Sequence, residues 1–200
     1  MKIVASIVEG HGEVSAVQVL LRRLSGWLTP HVSTRVLTPI RVHRDQFLNK
    51  GEEFSRYLKL AGAKCGQEGW VLVLLDADDD CPATTAPAVL ARAQLVLPGI
   101  PVSVVLAKRE YEAWFIASAS SLNGVRGFKS DGDPVADPES IANAKGWIKL
   151  HMPDGAYGET TDQAALTAGL NLEMTHDGSP SFNKLCREWK RHVGEHVEGE

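Results

Sequence analysis

The stretch Trp70-Val71-Leu72-Val73-Leu74-Leu75-Asp76-Ala77-Asp78-Asp79-Asp80 decides the fold of this 200-residue chain. Its first part, from Trp70 to Leu75, is apolar at every position. Such a run predicts a strand buried on both faces, as in a parallel sheet covered by helices. The run ends in four acids within five positions, which repel one another unless a cation lies among them. The stretch therefore predicts a buried strand with an acidic site at its carboxyl end.

Strand and helix patterns alternate on both sides of this run. The predicted strands are residues 3–8, 34–42, 70–75 and 101–107, and the predicted helices are residues 14–28, 52–64, 82–97 and 111–122. Pro39 makes the strand at 34–42 an edge strand or a broken one. The alternation predicts an α/β, Rossmann-like fold with a mostly parallel sheet and helices on both faces.

The pattern changes after residue 122. Residues 124–138 are rich in Gly, Asp and Pro and read as a loop, and helical stretches follow at 138–151, 161–170 and 179–192. We therefore expect residues 1–122 to form an α/β core. Residues 123–200 are expected to form a helical C-terminal extension packed on the same domain.

Composition narrows the classes of function. The net charge is −4 and 44% of the residues are hydrophobic, which is typical of a globular domain. The three cysteines form no CxxC pair, so neither a disulfide framework nor a zinc knuckle is indicated. The first apolar run is too short for a signal peptide, and no later run would span a membrane. We expect a soluble, cytoplasmic protein without membrane contact.

The Asp76/Asp78 pair is the most specific feature. Carboxylates two positions apart on an extended segment point the same way, so both can reach one hard cation. Asp80 is a further candidate ligand. Mg²⁺, or Mn²⁺ in its place, suits one or two carboxylates with waters and substrate phosphates. The alternative is an Asp-rich turn that caps the next helix.

The segment from residue 9 to residue 13, EGHGE, follows the first predicted strand. Gly10 and Gly12 allow a close backbone approach at a helix N-terminus, where anions bind well. With His11 they are candidate phosphate-binding residues. The chain lacks GxxxxGK and the full GxGxxG spacing, so neither a nucleoside-triphosphate P-loop nor a dinucleotide site is predicted.

The acids that flank these glycines are candidates for chemistry. Glu9 would face a metal or transfer a proton. Glu13 is a candidate metal ligand, and the alternative is that it stabilises the helix N-terminus. Because ligands bind outside the carboxyl ends of parallel strands, these acids should meet Asp76 and Asp78.

The last predicted strand is followed by Lys108, Glu110 and Glu112. Lys108 would stabilise developing negative charge on a phosphate, or else be a solvated lysine. Glu110 and Glu112 diverge on a helix, so at most one of them is expected to face the site. Between residues 18 and 50 there are six Lys or Arg and one acid. Within this basic stretch, Arg22 and Arg44 are candidate phosphate contacts.

A Glu after the first strand and a DxD after a later parallel strand resemble the Toprim domain. The segments at residues 7–13, 75–82 and 109–114 resemble short stand-alone bacterial Toprim-like proteins of unassigned function, as do Tyr157, Thr161-Asp162-Gln163 and Ser181-Phe182. The chain more distantly resembles nucleases of the overcoming-lysogenisation type. This resemblance implies that Glu9 is a general acid/base or a metal ligand, that Asp76 and Asp78 hold Mg²⁺, and that Glu112 is the family's acid after the fourth strand. It also implies an ATPase partner.

Three functions are consistent with these sequence features. The first is a metal-dependent phosphodiester enzyme, foremost a nuclease or nuclease subunit acting on nucleic acid. The second is a non-catalytic Toprim-like partner module of an ATPase, in which the apolar face of Phe182, Leu185 and Trp189 would serve association. The third is a small-molecule phosphotransfer enzyme that uses the same acidic edge.

Overall fold

The apolar run at residues 70–75 becomes the buried centre of a parallel sheet. A computed structural model describes residues 1–130, 132 and 134–194. Its strands are β1 (Lys2–Val8), β2 (Thr34–Val36), β3 (Ile40–Arg41), β4 (Trp70–Asp76) and β5 (Val102–Ala107). Its α-helices are α1 (His11–Leu28), α2 (Arg44–Asn49), α3 (Gly51–Cys65), α4 (Pro82–Val96), α5 (Ala113–Ala117), α6 (Ala144–His151), α7 (Glu159–Gly169), α8 (Leu172–Gly178) and α9 (Pro180–Val193). Short 3₁₀ helices lie at Ala119–Leu122, Val125–Gly127, Pro138–Ser140 and Pro153–Gly155.

The sheet order is β2-β1-β4-β5, with β3 also paired to β1, and all of these pairings are parallel. Every residue of β4 is buried, as its uninterrupted apolar pattern predicts. Because the strands are parallel, the ends of β1, β4 and β5 lie at one edge of the sheet. Glu9, Asp76 and Glu110, each at or just after the end of one of these strands, therefore lie at the same edge.

Each face of the sheet has its own hydrophobic core. One core joins apolar residues of α2, α3 and α4 to the sheet. The other joins α1 and α5 to the C-terminal helices. Phe182, Leu185 and Trp189 are fully buried in the second core, so the expectation that their face is free for association is wrong.

The predicted α/β fold, with its parallel sheet and C-terminal helical region, is confirmed. The strand at 34–42 is broken into β2 and β3 around Pro39, since a proline cannot donate to the ladder. Helices α2 and α8 were not predicted, because each is short and has little apolar periodicity. The predicted loop at 124–138 includes residues 131 and 133, and the predicted extension includes residues 195–200; these positions lie outside the described residues.

None of the helices in the described part of the chain is long and apolar enough to cross a membrane.

Candidate functional site

Asp76, the last residue of β4, lies at the centre of a cluster of carboxyl groups. Its Oδ1 accepts a hydrogen bond from the main-chain N–H of Tyr111 at 2.8 Å. Its Oδ2 lies 3.9 Å from Nζ of Lys145. Burial, followed by the charges of Glu13 and Glu112, raises the pKa of Asp76 well above its ordinary value. The sheet edge thus brings together acids from three separate segments.

Glu13 combines the two roles considered for it from the sequence. Its Oε2 accepts a hydrogen bond from the main-chain N–H of Glu9 at 3.2 Å, as an acid in the first helical turn often does. The side chain is also buried. Burial, together with the charges of Glu112 and Glu9, raises the pKa of Glu13 to about 7. Glu13 therefore holds the start of α1 and belongs to the acidic cluster.

Glu9, directly after β1, is partly buried. Burial raises its pKa, with a further contribution from the charge of Asp78, while Arg44 and Lys145 oppose the shift. Its Oε2 is buried and has no hydrogen-bond partner within the described part of the molecule. A buried carboxylate oxygen without a partner is costly, so this atom is ready to accept a proton, a donor or a cation.

Glu112 is the most deeply buried acid of the cluster, with no exposed surface. Its Oε1 accepts hydrogen bonds from the hydroxyl of Tyr157 at 2.7 Å and from Nε2 of Gln163 at 3.3 Å. Its Oε2 is buried without a partner among residues 1–130, 132 and 134–194. Burial raises the pKa of Glu112 to about 7, although the nearby charge of Lys145 and the bond from Tyr157 oppose the shift.

Lys145, from α6, supplies positive charge to this cluster. Its Nζ lies 3.3 Å from Oε1 of Glu159 and 3.9 Å from both Oδ2 of Asp76 and Oε1 of Glu110. Its main-chain N–H also donates to Oε2 of Glu110 at 3.0 Å. Burial lowers the pKa of Lys145, but the surrounding carboxylates, Glu112 first among them, outweigh burial and raise it. Lys145 is therefore a fixed cation among the acids.

Sequence reasoning assigned no role to Lys145, Tyr157, Glu159 or Gln163. Tyr157 and Gln163 belong to the C-terminal pattern on which the family resemblance rests. That pattern was a signal that they matter, but it carried no information on their contacts. Lys145 stands in no motif, and the path of the chain after β5 alone brings it to the sheet edge.

Arg44 fastens the loop after β4. It donates to the main-chain oxygens of Asp76 at 3.0 Å and Ala77 at 3.4 Å. It also forms an ion pair with Asp80, and its Nε lies 3.7 Å from Oδ2 of Asp78. The structure thus places Arg44 and Asp80 together as a loop contact. Asp78 contacts Arg44, and its charge also reaches Glu9 of the acidic cluster.

The predicted glycines differ in what surrounds them. A Cβ atom at Gly12 would lie 2.3 Å from the main-chain oxygen of Glu159, so the absence of a side chain allows α7 to pack directly on α1. Gly10 precedes α1 in an extended conformation and, as a glycine, supplies no capping side chain. His11 is exposed at the first turn. The start of α1 thus follows Glu9 closely and lies against the side chain of Glu13.

Two predicted residues lie away from the cluster. Arg22 is exposed on α1, roughly 16 Å along the helix from its first residue at 1.5 Å per residue. Lys108 is also exposed, and it lines a groove between α4 and α9. The structure brings Glu9, Glu13, Asp76 and Glu112 together but does not bring these two basic residues to them.

The donor set fits a hard divalent cation in one binding mode. Within the described residues, no three His, Cys, Asp or Glu side chains are grouped so as to hold a metal ion by themselves. Mg²⁺ does not require such a cage, because it commonly binds one or two carboxylates and completes its shell with water and phosphate. Glu9 and Glu112 are chemically suited to that binding mode, because each has a raised pKa and a buried carboxylate oxygen without a hydrogen-bond partner in the described part of the chain.

The chain matches the model of one protein family, described as a domain of unknown function (DUF4276), over residues 8–189. Searches of curated proteins and of solved structures found no match. The matched region runs from the end of β1 into α9 and contains every member of the acidic cluster. This protein therefore belongs to the DUF4276 family.

Proposed function

We propose that this protein is a Toprim-like, metal-dependent phosphodiester-processing enzyme, acting as a nuclease or a nuclease subunit in the cytoplasm. Mg²⁺, or Mn²⁺ in its place, would be the cofactor, and nucleic acid the substrate. The sheet edge would hold both the metal and the scissile phosphate.

One observation carries this proposal: four carboxyl groups at the ends of parallel strands have raised pKa values. Such a set is unfavourable in a folded protein without compensating charge. A divalent cation would lower these pKa values and be held in return. Groups that titrate near neutral pH are also suited to general acid/base chemistry.

Roles follow from the surroundings of each side chain. Asp76 and Asp78 would hold the metal, which when bound would polarise the phosphate ester. Glu9, with its unpartnered Oε2, would exchange a proton with the attacking water or the leaving group. Glu112 is held by Tyr157 and Gln163 and would accept a hydrogen bond at its other oxygen. The main-chain N–H groups at the start of α1 would bind phosphate.

Calorimetric titration of Mg²⁺ and Mn²⁺ tests the metal site. We expect binding to the wild-type protein and its loss in the Asp76→Asn/Asp78→Asn double variant. Glu68→Gln is the matched control, because Glu68 is exposed in the turn that precedes β4, at the opposite end of this strand from Asp76. Unchanged binding in the double variant, or its loss in the control, would contradict the proposed ligands.

Incubation of the same proteins with labelled single- and double-stranded DNA tests the chemistry. Metal-dependent cleavage that disappears in Glu9→Gln is the expected result, with circular dichroism confirming that the variant folds. Metal binding without cleavage of either substrate would leave the site assignment standing and contradict an enzyme that acts alone.

A second candidate is a Toprim-like module that works through a partner ATPase. The observation that favours it is the placement of the basic residues, since Arg44 is engaged in the loop after β4 and Arg22 is distant from the acids. Few cations are then left at the cluster for a nucleic-acid backbone. Metal binding without cleavage is the outcome that this candidate predicts.

A further inference from the structure

Strand β5 is an edge strand in the described part of the sheet, since it follows β4 at one end of the strand order. The main-chain oxygen of Ala107 accepts a hydrogen bond from the N–H of Ala77, the residue after β4, at 2.8 Å. Main-chain groups of alternate strand residues point to opposite edges. Those of Val104 and Leu106 therefore point away from β4, towards the open edge.

The residues at this edge have little exposed surface, although no strand of the described part of the chain covers them. Val104 and Leu106 are 4% and 2% exposed, and among the described residues no hydrogen bond to their outward main-chain groups is found. The N–H of Lys108, the next residue of the same parity, donates to Oγ of Ser181 at 3.4 Å. Buried main-chain groups are nearly always paired, so water or another strand must satisfy those of Val104 and Leu106.

A groove of about 430 Å³ runs along this edge, between α4 on one face of the sheet and α9 on the other. Its walls are mostly apolar, with Ala83, Ala86 and Pro87 on the side of α4. From Val102 to Lys108 the edge is roughly 20 Å long at 3.3 Å per residue. A single extended segment of six or seven residues matches this length, and its main-chain groups would match those of β5.

The rim of the groove is basic. Lys108, Lys184 and Arg187 line it. Lys184 pairs with Glu188, whereas neither Lys108 nor Arg187 forms an ion pair within the described residues. The acid in the lining, Glu139, is buried, and its Oε1 accepts hydrogen bonds from Ser179 and Ser181. Three cations around an apolar floor favour an occupant that carries negative charge.

From the free strand edge, the apolar walls and the basic rim, we infer that the groove between α4 and α9 binds an extended acidic segment of a partner protein, which adds to the sheet as a strand beside β5. The phosphates of a nucleic acid would pair with the basic rim. A nucleic acid lacks, however, the alternating N–H and C=O groups that would hydrogen-bond to the main chain of Val104 and Leu106. This inference does not depend on the acidic cluster, since the groove lies beside β5 and Lys108, which the structure places away from the acids, is the one predicted site residue among those that line it.

Selection from a display library of random dodecapeptides, with the full-length protein as bait, tests the inference. We expect the enriched peptides to alternate apolar and acidic residues. Their affinity should fall by about tenfold or more in Val104→Pro, which removes an outward N–H that β4 does not use. Arg187→Glu should weaken them to a similar extent, while Lys59→Glu, at an exposed lysine of α3, should have no effect. Circular dichroism checks that each variant folds.

The peptide itself provides a second test that needs no variant. N-methylation of the alternate amides that face β5 should abolish binding, whereas methylation of the opposite amides should preserve it. Equal binding of both methylated forms, failure to enrich any acidic peptide, or enrichment unaffected by Val104→Pro would overturn the inference. Two other occupants would also overturn it. One is a second copy of this chain, which light scattering would show as a dimer that dissociates in Val104→Pro. The other is single-stranded DNA, if its binding requires Arg187 but not the outward N–H of Val104.

Discussion

Replacing Lys145 with methionine should remove the fixed cation from the acidic cluster while keeping an unbranched stem of similar length. The Nζ of Lys145 lies within 3.9 Å of Asp76, Glu110 and Glu159. One charge pair at this distance is worth about 4 kcal/mol at an effective dielectric constant of 20. Desolvation and the exposed third of the lysine side chain reduce this, so we expect Lys145→Met to lower the free energy of unfolding by roughly 2–3 kcal/mol.

The size of this loss should depend on pH. The pKa values of Glu13 and Glu112 are both raised from 4.5 to about 7. Their contribution to stability is therefore fully present below about pH 4.5 and is lost as the pH rises through about 7. Lys145 offsets part of that loss through its attraction to Glu112 once this carboxylate is ionised. The variant should thus be most destabilised at about pH 8 and less destabilised at about pH 5, where Lys145 no longer offsets a charge on Glu112 but keeps its contacts with Glu110 and Glu159.

Urea unfolding at the two pH values, with and without Mg²⁺, measures the effect. At about pH 8, Mg²⁺ should stabilise Lys145→Met more than the wild type, because bound metal replaces the missing charge. Lys149→Met is the matched control, since Lys149 is exposed on the same helix. An equal loss of stability at both pH values would assign Lys145 a packing role and refute the electrostatic argument, as would a loss in the control of the same size.

Other predictions concern packing and titration. Gly12→Ala should lower the free energy of unfolding by about 2–3 kcal/mol, because its Cβ would overlap a main-chain oxygen of α7. Gly26→Ala should raise the free energy of unfolding by about 0.5–1 kcal/mol, because a Cβ there meets nothing within 4 Å. Urea titration of both variants compares the two effects. The pKa of Glu188 is lowered, because hydrogen bonds from His192, Lys184 and Ser103 outweigh burial. Glu188→Gln should therefore destabilise the protein at neutral pH. The difference in stability between wild type and variant should shrink as acid protonates the wild-type carboxylate, and acid titration followed by circular dichroism measures it. A difference that stays constant with pH would contradict this prediction. Affinity for Mg²⁺ should rise with pH through about 7 and binding should release protons, which calorimetry in buffers of different ionisation enthalpy measures.

Most of the sheet could be predicted from local pattern. The uninterrupted apolar run at 70–75 identified the buried central strand, and the alternation of strands with helices identified the parallel topology. Pro39 correctly indicated a broken strand. The short helices α2 and α8 were not predicted, because helices of so few residues show too little apolar periodicity. Their helical state depends on packing against neighbouring elements.

The candidate site, too, could be predicted from the sequence only in part. Because parallel strands end at one edge, the sequence predicted that Glu9, Glu13, Asp76 and at most one of Glu110 and Glu112 would lie close together. The structure brings Glu112 into the cluster, but Glu110 also contacts Lys145 there, so the expectation that only one of the two faces the site is wrong.

The sequence did not predict which groups would hold these acids. Tyr157 and Gln163, which contact Glu112, are separated from it by 45 and 51 positions in the sequence. No local pattern encodes such contacts.

What the sequence by itself determined is therefore the α/β class with its parallel sheet, the acidic edge and most of the residues that form it, since these follow from hydrophobic periodicity and parallel geometry. The tertiary structure alone decided that Lys145 provides a cation within the cluster and that Arg44 binds the loop after β4. It also decided that β5 has an open edge between two helices. The physical reason is that charge pairing and burial depend on distances in space, and these are set by packing between segments far apart in the chain.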